Sequence, residues 1–195
     1  MNIFYLDKNP RKCAEYHLDK HCIKMILEYA QLLSTAHRVI DGVLSTRLSK
    51  SGRQQKCYIL PDGLEQVLYS ATHVNHPSAV WVRQSAANYM WLAELLEECC
   101  KEYTYRYGKI HKVESSGLMQ ALKNNFPKNI SDKPFTEPTP AMPDACKVPG
   151  DSISSYRRYY LMEKSRMWSW AGKINSRKIP DWLSQACEPL AYGYS

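Results

Sequence analysis

The sequence predicts a mainly α, compact bundle built on two long helices plus a C-terminal helix, and three observations carry that prediction. Apolar residues recur at spacings of three and four across residues 10–39 and again across 77–107, the period of a helix with one buried face. A segment after Asp151 carries Tyr156, Tyr159, Tyr160, Met167, Trp168 and Trp170 and reads as the third helix. Before it lie Pro127, Pro134, Pro138, Pro140, Pro143 and Pro149, which exclude a continuous helix and most strand pairing.

Asn9-Pro10 reads as the first helix start, with proline in the opening turn. Leu18, Cys22, Met25, Ile26, Tyr29, Leu32, Leu33 and Ala36 then form a stripe that ends before Asp41-Gly42. The length of this stripe is compatible with a break near its start. Residues 42–63 hold Arg47, Lys50, Arg53 and Lys56 and no acid until Asp62. They read as a solvated, mobile loop in preference to a basic arm laid on a phosphate backbone, with Cys57-Tyr58-Ile59-Leu60 able to form a short extended piece.

Pro77 opens the second long helix, capped by Asn75 or His76 and ended by Gly108. Trp81, Ser85, Asn88, Trp91, Leu92, Leu95, Cys99 and Tyr103 mark its inward face. Ser115 can cap a short helix through Asn124, and residues 126–150 read as a long proline-rich ordered loop anchored by Phe126, Phe135 and Met142. Asp151 or Ser152 caps the C-terminal helix. Lys178 to Leu183 read as an extended clamp with Trp182 against the body, so that 1–195 makes a single domain.

A net charge of +7 and a pI near 9.0 favour a phosphate-bearing partner, because phosphate binding releases counterions. Seven cysteines, two of them adjacent at Cys99-Cys100, suit free thiols in a reducing compartment better than a disulfide framework. No signal peptide and no apolar run of membrane length is visible, so the expected location is the cytoplasm.

On a helical wheel His17, Lys24, Glu28, Gln31 and Thr35 share one strip beside the apolar stripe, with His21 between the two. Lys24 and Glu28 are one turn apart and suited to an ion pair that keeps the carboxylate ionised; the same pair would also be ordinary on a plain surface. His17 and His21 have chelating spacing, but the residue after His17 is Leu18 rather than the glutamate of a zinc-protease helix, so no metal is expected. Thr72 to Arg83 form a loop entering a helix N-terminus, a ready anion site bearing His73, Asn75, His76 and Arg83. Glu102 to Lys112 and Tyr156 to Tyr160 alternate aromatics with cations, either as stacking surfaces for nucleic acid or as core tyrosines beside solvated arginines. No motif implies a cofactor.

Two of these segments resemble a known family. Leu18-Asp19-Lys20-His21-Cys22-Ile23-Lys24-Met25-Ile26-Leu27-Glu28-Tyr29-Ala30-Gln31-Leu32-Leu33, followed by Asn75-His76-Pro77-Ser78-Ala79-Val80-Trp81, is similar to small phage and bacterial proteins of the pyrimidine-dimer DNA glycosylase type. Tyr105-Arg106-Tyr107-Gly108 resembles the end of that family's long helix. The resemblance implies a helical body that flips a base out of duplex DNA and cleaves its N-glycosidic bond. On this reading Glu28 is the catalytic carboxylate, tuned by His17 and Lys24. Lys20, His21, Gln31, His73, Asn75, His76, Arg83, Arg106 and Lys109 hold phosphates or the extruded nucleotide.

The family uses an N-terminal amine, freed by methionine removal, as a Schiff-base nucleophile. Asn2 disfavours that removal, so the amine is expected to be displaced by one residue, with water attacking directly and the strand-nicking lyase step lost. Two alternatives are a transferase that hypermodifies a pyrimidine base in phage DNA and a non-catalytic DNA-binding protein. The expected partner is duplex DNA, with no membrane and no obligate protein partner.

Overall fold

A computed structural model describes residues 1–49 and 51–187; Lys50 of the basic segment and residues 188–195 of the anticipated clamp lie outside them. The fold is mainly α. Among the described residues there are eight helices and one two-stranded antiparallel hairpin: α1 (Pro10–Tyr16), α2 (Asp19–Asp41), β1 (Val43–Leu48), β2 (Gln54–Ile59), α3 (Pro77–Val82), α4 (Ala86–Tyr107), α5 (Lys112–Ser115), α6 (Leu118–Asn124), α7 (Ser152–Glu163) and α8 (Asp181–Cys187). No helix is long and apolar enough to cross a membrane among the described residues.

The first long helix is two. Asn9 caps α1 by accepting the Lys12 N–H, and His17 and Leu18 then turn extended before α2 begins at Asp19. No proline or glycine marks the break. It is held from outside, where Ser169 O receives the Asp19 N–H and the Asp19 carboxylate receives Arg106, Ser169 Oγ and the Gly172 N–H. The second long helix is also two, since α3 ends at Val82 and Ser85, placed by the pattern on the inward face, instead caps α4 through the Asn88 N–H. His76 caps α3 through Ser78 N–H, and Gly108 closes α4 in the left-handed region at φ 63°.

Residues 42–63 are not a loop but a hairpin paired from Val43–Ile59 to Leu48–Gln54. Three further expectations need correction. His111, not Ser115, caps α5, and α6 starts after Gly117. Helix α7 stops at Glu163, a 3₁₀ turn follows at Ser165–Met167, and Trp168 and Trp170 lie beyond both. The clamp is helical from Asp181, with Trp182 edge-on to Tyr16 and Tyr160 and Leu183 fully buried.

One core cluster runs from Ile3 through Leu183, with α2 packed on α3, α4 and α6, and α1 on α4. Through it passes the extended N-terminal segment Ile3–Leu6, every residue of which is buried. Phe4 donates its N–H to Tyr29 Oη, Cys13 Sγ donates to Phe4 O, and the Arg157 guanidinium donates to Leu6 O. Burial of a backbone strand among helices demands partners of this kind, because unpaired amides in a core cost about 1–3 kcal/mol each. The proline-rich loop is tied down at its middle. Asn88 Oδ1 accepts the Thr136 N–H, Trp81 Nε1 donates to Thr136 O, and Phe135 stacks edge-on to Trp81.

Candidate functional site

Threading residues 3–6 through the core brings Met1 out beside α2. The Met1 ammonium lies 3.9 Å from Glu28 Oε2, and Lys24 Nζ lies 3.0 Å from Glu28 Oε1. Glu28 is partly buried, with 13 % of its side chain exposed, whereas Lys24 is 71 % exposed. The Met1 amine thus sits beside Glu28. The buried segment Ile3–Leu6, bonded to Tyr29, Cys13 and Arg157, sets the position of the terminus.

These groups line a cleft of about 310 Å³ whose walls include Met1, Asn2, Phe4, Lys20, His21, Lys24, Glu28, Tyr159, Lys164 and Met167. The floor is aromatic. His21 stacks on Phe4 at 4.1 Å between ring centres, Tyr159 runs nearly parallel to Phe4 at 6.2 Å, and Lys164 Nζ sits 4.4 Å over the Tyr159 ring. Lys20, Lys24 and Lys164 thus lie beside aromatic rings, a combination that suits a planar group carrying phosphate.

A second groove of about 360 Å³ is lined by Arg11, Glu15, Glu98, Lys101, Glu102, Tyr105 and Arg177. Its charges are already matched, Arg11 to Glu15, Lys101 to Glu98, and Arg177 to Glu102 and Glu15. Its carboxylates have no amine terminus or aromatic floor beside them of the kind found at Glu28.

The 73–76 loop is near enough to Glu28 for its charge to act on His76. The Met1 ammonium, His73 and Glu28 are the charged groups acting on His76; burial first, then that ammonium and His73, push its pKa below the ordinary histidine range, while Glu28 opposes them. His76 Nδ1 accepts the Ser78 N–H, so the neutral ring carries its proton on Nε2 as a donor. His73 adopts a positive φ of 49°, uncommon for a non-glycine residue, with its Nδ1 2.7 Å from Thr72 Oγ1. Thr35 Oγ1 accepts the Thr72 N–H and fixes the loop to α2.

The anticipated residues thus divide. Glu28, Lys24 and Lys20 come together at the cleft, whereas His73, exposed Asn75 and His76 belong to the 73–76 loop and do not line it. Gln31 is half-buried farther along α2, Arg83 is held by Val74 O and Ala79 O, and Lys109 is exposed beyond the end of α4.

Three residues have other roles. His17 is off α2 and fully buried: its Nδ1 donates to Cys13 O, and its Nε2 accepts from Tyr29 Oη, which in turn holds Phe4. Burial pushes its pKa down to about 4. His21 is also buried, bonded through Nδ1 to Tyr160 Oη, and burial above all pushes its pKa down to about 2, so it is neutral and not a phosphate contact. Arg106 is 0 % exposed and saturated by Glu102, Asp19, His17 O and Glu15 O, out of reach of any ligand.

Phe4 and Lys164 also line the cleft, and neither was among the anticipated site residues. Tyr159 had been singled out only as part of an aromatic–cation run. The apolar start Ile3-Phe4-Tyr5-Leu6 was the available signal for a buried terminal strand. No protein-family profile, no curated protein and no solved structure matches the chain.

Proposed function

We propose that the protein is a DNA N-glycosylase acting on a pyrimidine base, with Glu28 as its catalytic carboxylate and the α-amine of Met1, where it is free, as nucleophile. One observation carries this reading: an amine and a partly buried carboxylate 3.9 Å apart at the edge of an aromatic, cation-lined cleft. The resemblance of Leu18–Leu33 and Asn75–Trp81 to pyrimidine-dimer glycosylases points the same way.

The chemistry balances on these groups. The neutral amine attacks C1′ of the sugar, the C1′–N bond breaks, and the base leaves with the bonding pair and takes up a proton. The nitrogen's proton passes to Glu28, leaving a neutral aminal at C1′; the nitrogen lone pair then expels O4′, which takes that proton back from Glu28, and the ring-opened iminium so formed is later hydrolysed by water. Glu28, while ionised, also opposes the positive charge developing on the sugar. Lys20, Lys24 and Lys164 meet phosphates, the His21–Phe4–Tyr159 floor stacks the flipped base, and His76 Nε2–H donates to it.

Borohydride present during turnover on abasic or lesion-bearing duplex tests the route. The expected result is a covalent protein–DNA adduct whose cross-linked peptide begins at Met1, and its loss on N-terminal acetylation. Base release without an adduct would transfer the attack to water activated by Glu28. Absence of base release from any pyrimidine or pyrimidine dimer overturns the glycosylase, and a gain of DNA mass with a donor present would replace it with a transferase.

A further inference from the structure

The β1–β2 hairpin contributes almost nothing to the core. Val43, Leu44, Leu48 and Ile59 are 68, 55, 69 and 45 % exposed, and only Ser45, Cys57 and Tyr58 within the strands are even half-buried. An isolated two-stranded ribbon is marginally stable in water. This one is fixed at its base by a buried arginine: Arg38 donates to Tyr58 O, Tyr69 O, Leu68 O, Glu65 O and the Glu65 carboxylate. Glu65 also accepts the Leu60 N–H, closing the knot where β2 leaves the ribbon.

We propose that this hairpin is a duplex-DNA arm that lies in the major groove beside the nucleotide held at Glu28. The inference rests on the DNA reading above and adds a second contact surface to it. Three observations carry it. First, charge: Arg47, Arg53 and Lys56 are exposed, none forms an ion pair among the described residues, and no acid occurs between Asp41 and Asp62. Second, shape: the major groove admits a two-stranded ribbon, and exposed aliphatics there meet thymine methyl groups. Leu44, Leu48 and Lys56 share one face of the ribbon, and Arg47, Val43 and Ile59 the other.

Third, continuity: Arg38 follows Glu28 by ten residues of the same helix, about 15 Å of rise, or about four base pairs of duplex. Arg47 reaches Ser70 Oγ at 3.2 Å, Thr72 is bonded to Thr35, and His73 and His76 follow. Pairing of the ribbon edges between two copies of the chain is disfavoured, because it would bring like charges together.

The test is the salt dependence of binding to a thirty-base-pair duplex, for the wild type and for a variant with Arg47→Gln, Arg53→Gln and Lys56→Gln together. All three side chains are exposed, so the fold is expected to be retained, which circular dichroism checks. The log–log slope should fall by about 2–3 and affinity at 0.1 M salt by at least about tenfold. Base release at saturating DNA should be unchanged. An unchanged slope with wild-type binding intact overturns the arm and leaves the glycosylase reading standing. A change in sedimentation instead of in DNA affinity would mark the hairpin as a self-association surface and also overturn it. Absence of duplex binding by the wild type would overturn both.

Discussion

Two carboxylate–cation clusters sit at opposite ends of the same type of sequence pattern, and their difference separates architecture from chemistry. Lys24–Glu28 and Glu102–Arg106 are both helical pairs four residues apart. Around Arg106 every partner is satisfied. Glu102 also takes a two-pronged contact from Arg177, Asp19 is shared with Ser169 and Gly172, and the Arg106 carbonyl accepts from Lys173 and Ile174. This cluster fastens α1, α2, α4 and the 169–177 segment into one unit. Around Glu28 the neighbours are a solvent-exposed lysine and a chain terminus at the limit of ion-pair distance, and the carboxylate lines an open cleft. A saturated charge is held in one state; a lightly held one can exchange a proton or meet a substrate.

That contrast is sharpest for Glu28 itself. Glu28→Gln keeps the shape of the side chain and removes its charge, and base release should fall on the order of 10²–10⁴-fold. The denaturation midpoint should barely move, because the pairs it loses are a helix-surface contact and a distant ammonium. Activity within a few-fold of wild type, measured as free base per enzyme, would assign the chemistry to another group.

Arg106→Ala should show the reverse. Removing a fully buried guanidinium strands Asp19 and leaves Glu102 to Arg177 alone, at a cost of about 3–5 kcal/mol. Urea unfolding of the purified variant reads this directly. A loss below about 1 kcal/mol, or a selective loss of DNA affinity in a stable protein, would break the distinction drawn between the two clusters.

A smaller effect comes from the buried imidazoles between the clusters. Burial lowers the pKa of His17 to about 4 and that of His21 to about 2, while an unfolded histidine titrates near 6.5. The unfolded chain thus binds protons that the folded chain refuses, and stability is full above pH about 6.5 and declines as pH falls toward 4. Between pH 7.5 and 5.5 the two rings together should remove roughly 2–3 kcal/mol, a range in which ordinary carboxylates hardly titrate. Urea midpoints measured across that interval check the sign. A flat profile would mean that the rings open to water, and that the Cys13–His17–Tyr29–Phe4 relay does not hold the terminal strand in place.

Much of the helical framework was legible because its signals are local. Asn9-Pro10, His76-Pro77 and Gly108 end or begin helices through hydrogen bonds spanning a few residues, and the stripe from Leu18 to Ala36 follows from the 3.6-residue period. The hairpin was harder to see: its strands bury so little that the alternation normally marking a half-buried strand is missing. At the site, the wheel correctly grouped Lys24 with Glu28, but it extended the strip to His17 across a helix break.

By itself, then, the sequence determined most of the helical segments, the caps at Asn9, His76 and Asp151, the stop at Gly108, the basic balance and the placing of Lys24 and Glu28 in one strip of α2. Tertiary structure alone decided that α2 begins at Asp19, since the partners of that break lie some 90 to 150 residues away at Arg106, Ser169 and Gly172. It also decided that Arg106 is structural and that Met1 meets Glu28. The physical reason is common to all three. Whether a charge is sealed or open depends on which distant groups desolvate and satisfy it, and a residue's neighbours along the chain carry no record of them.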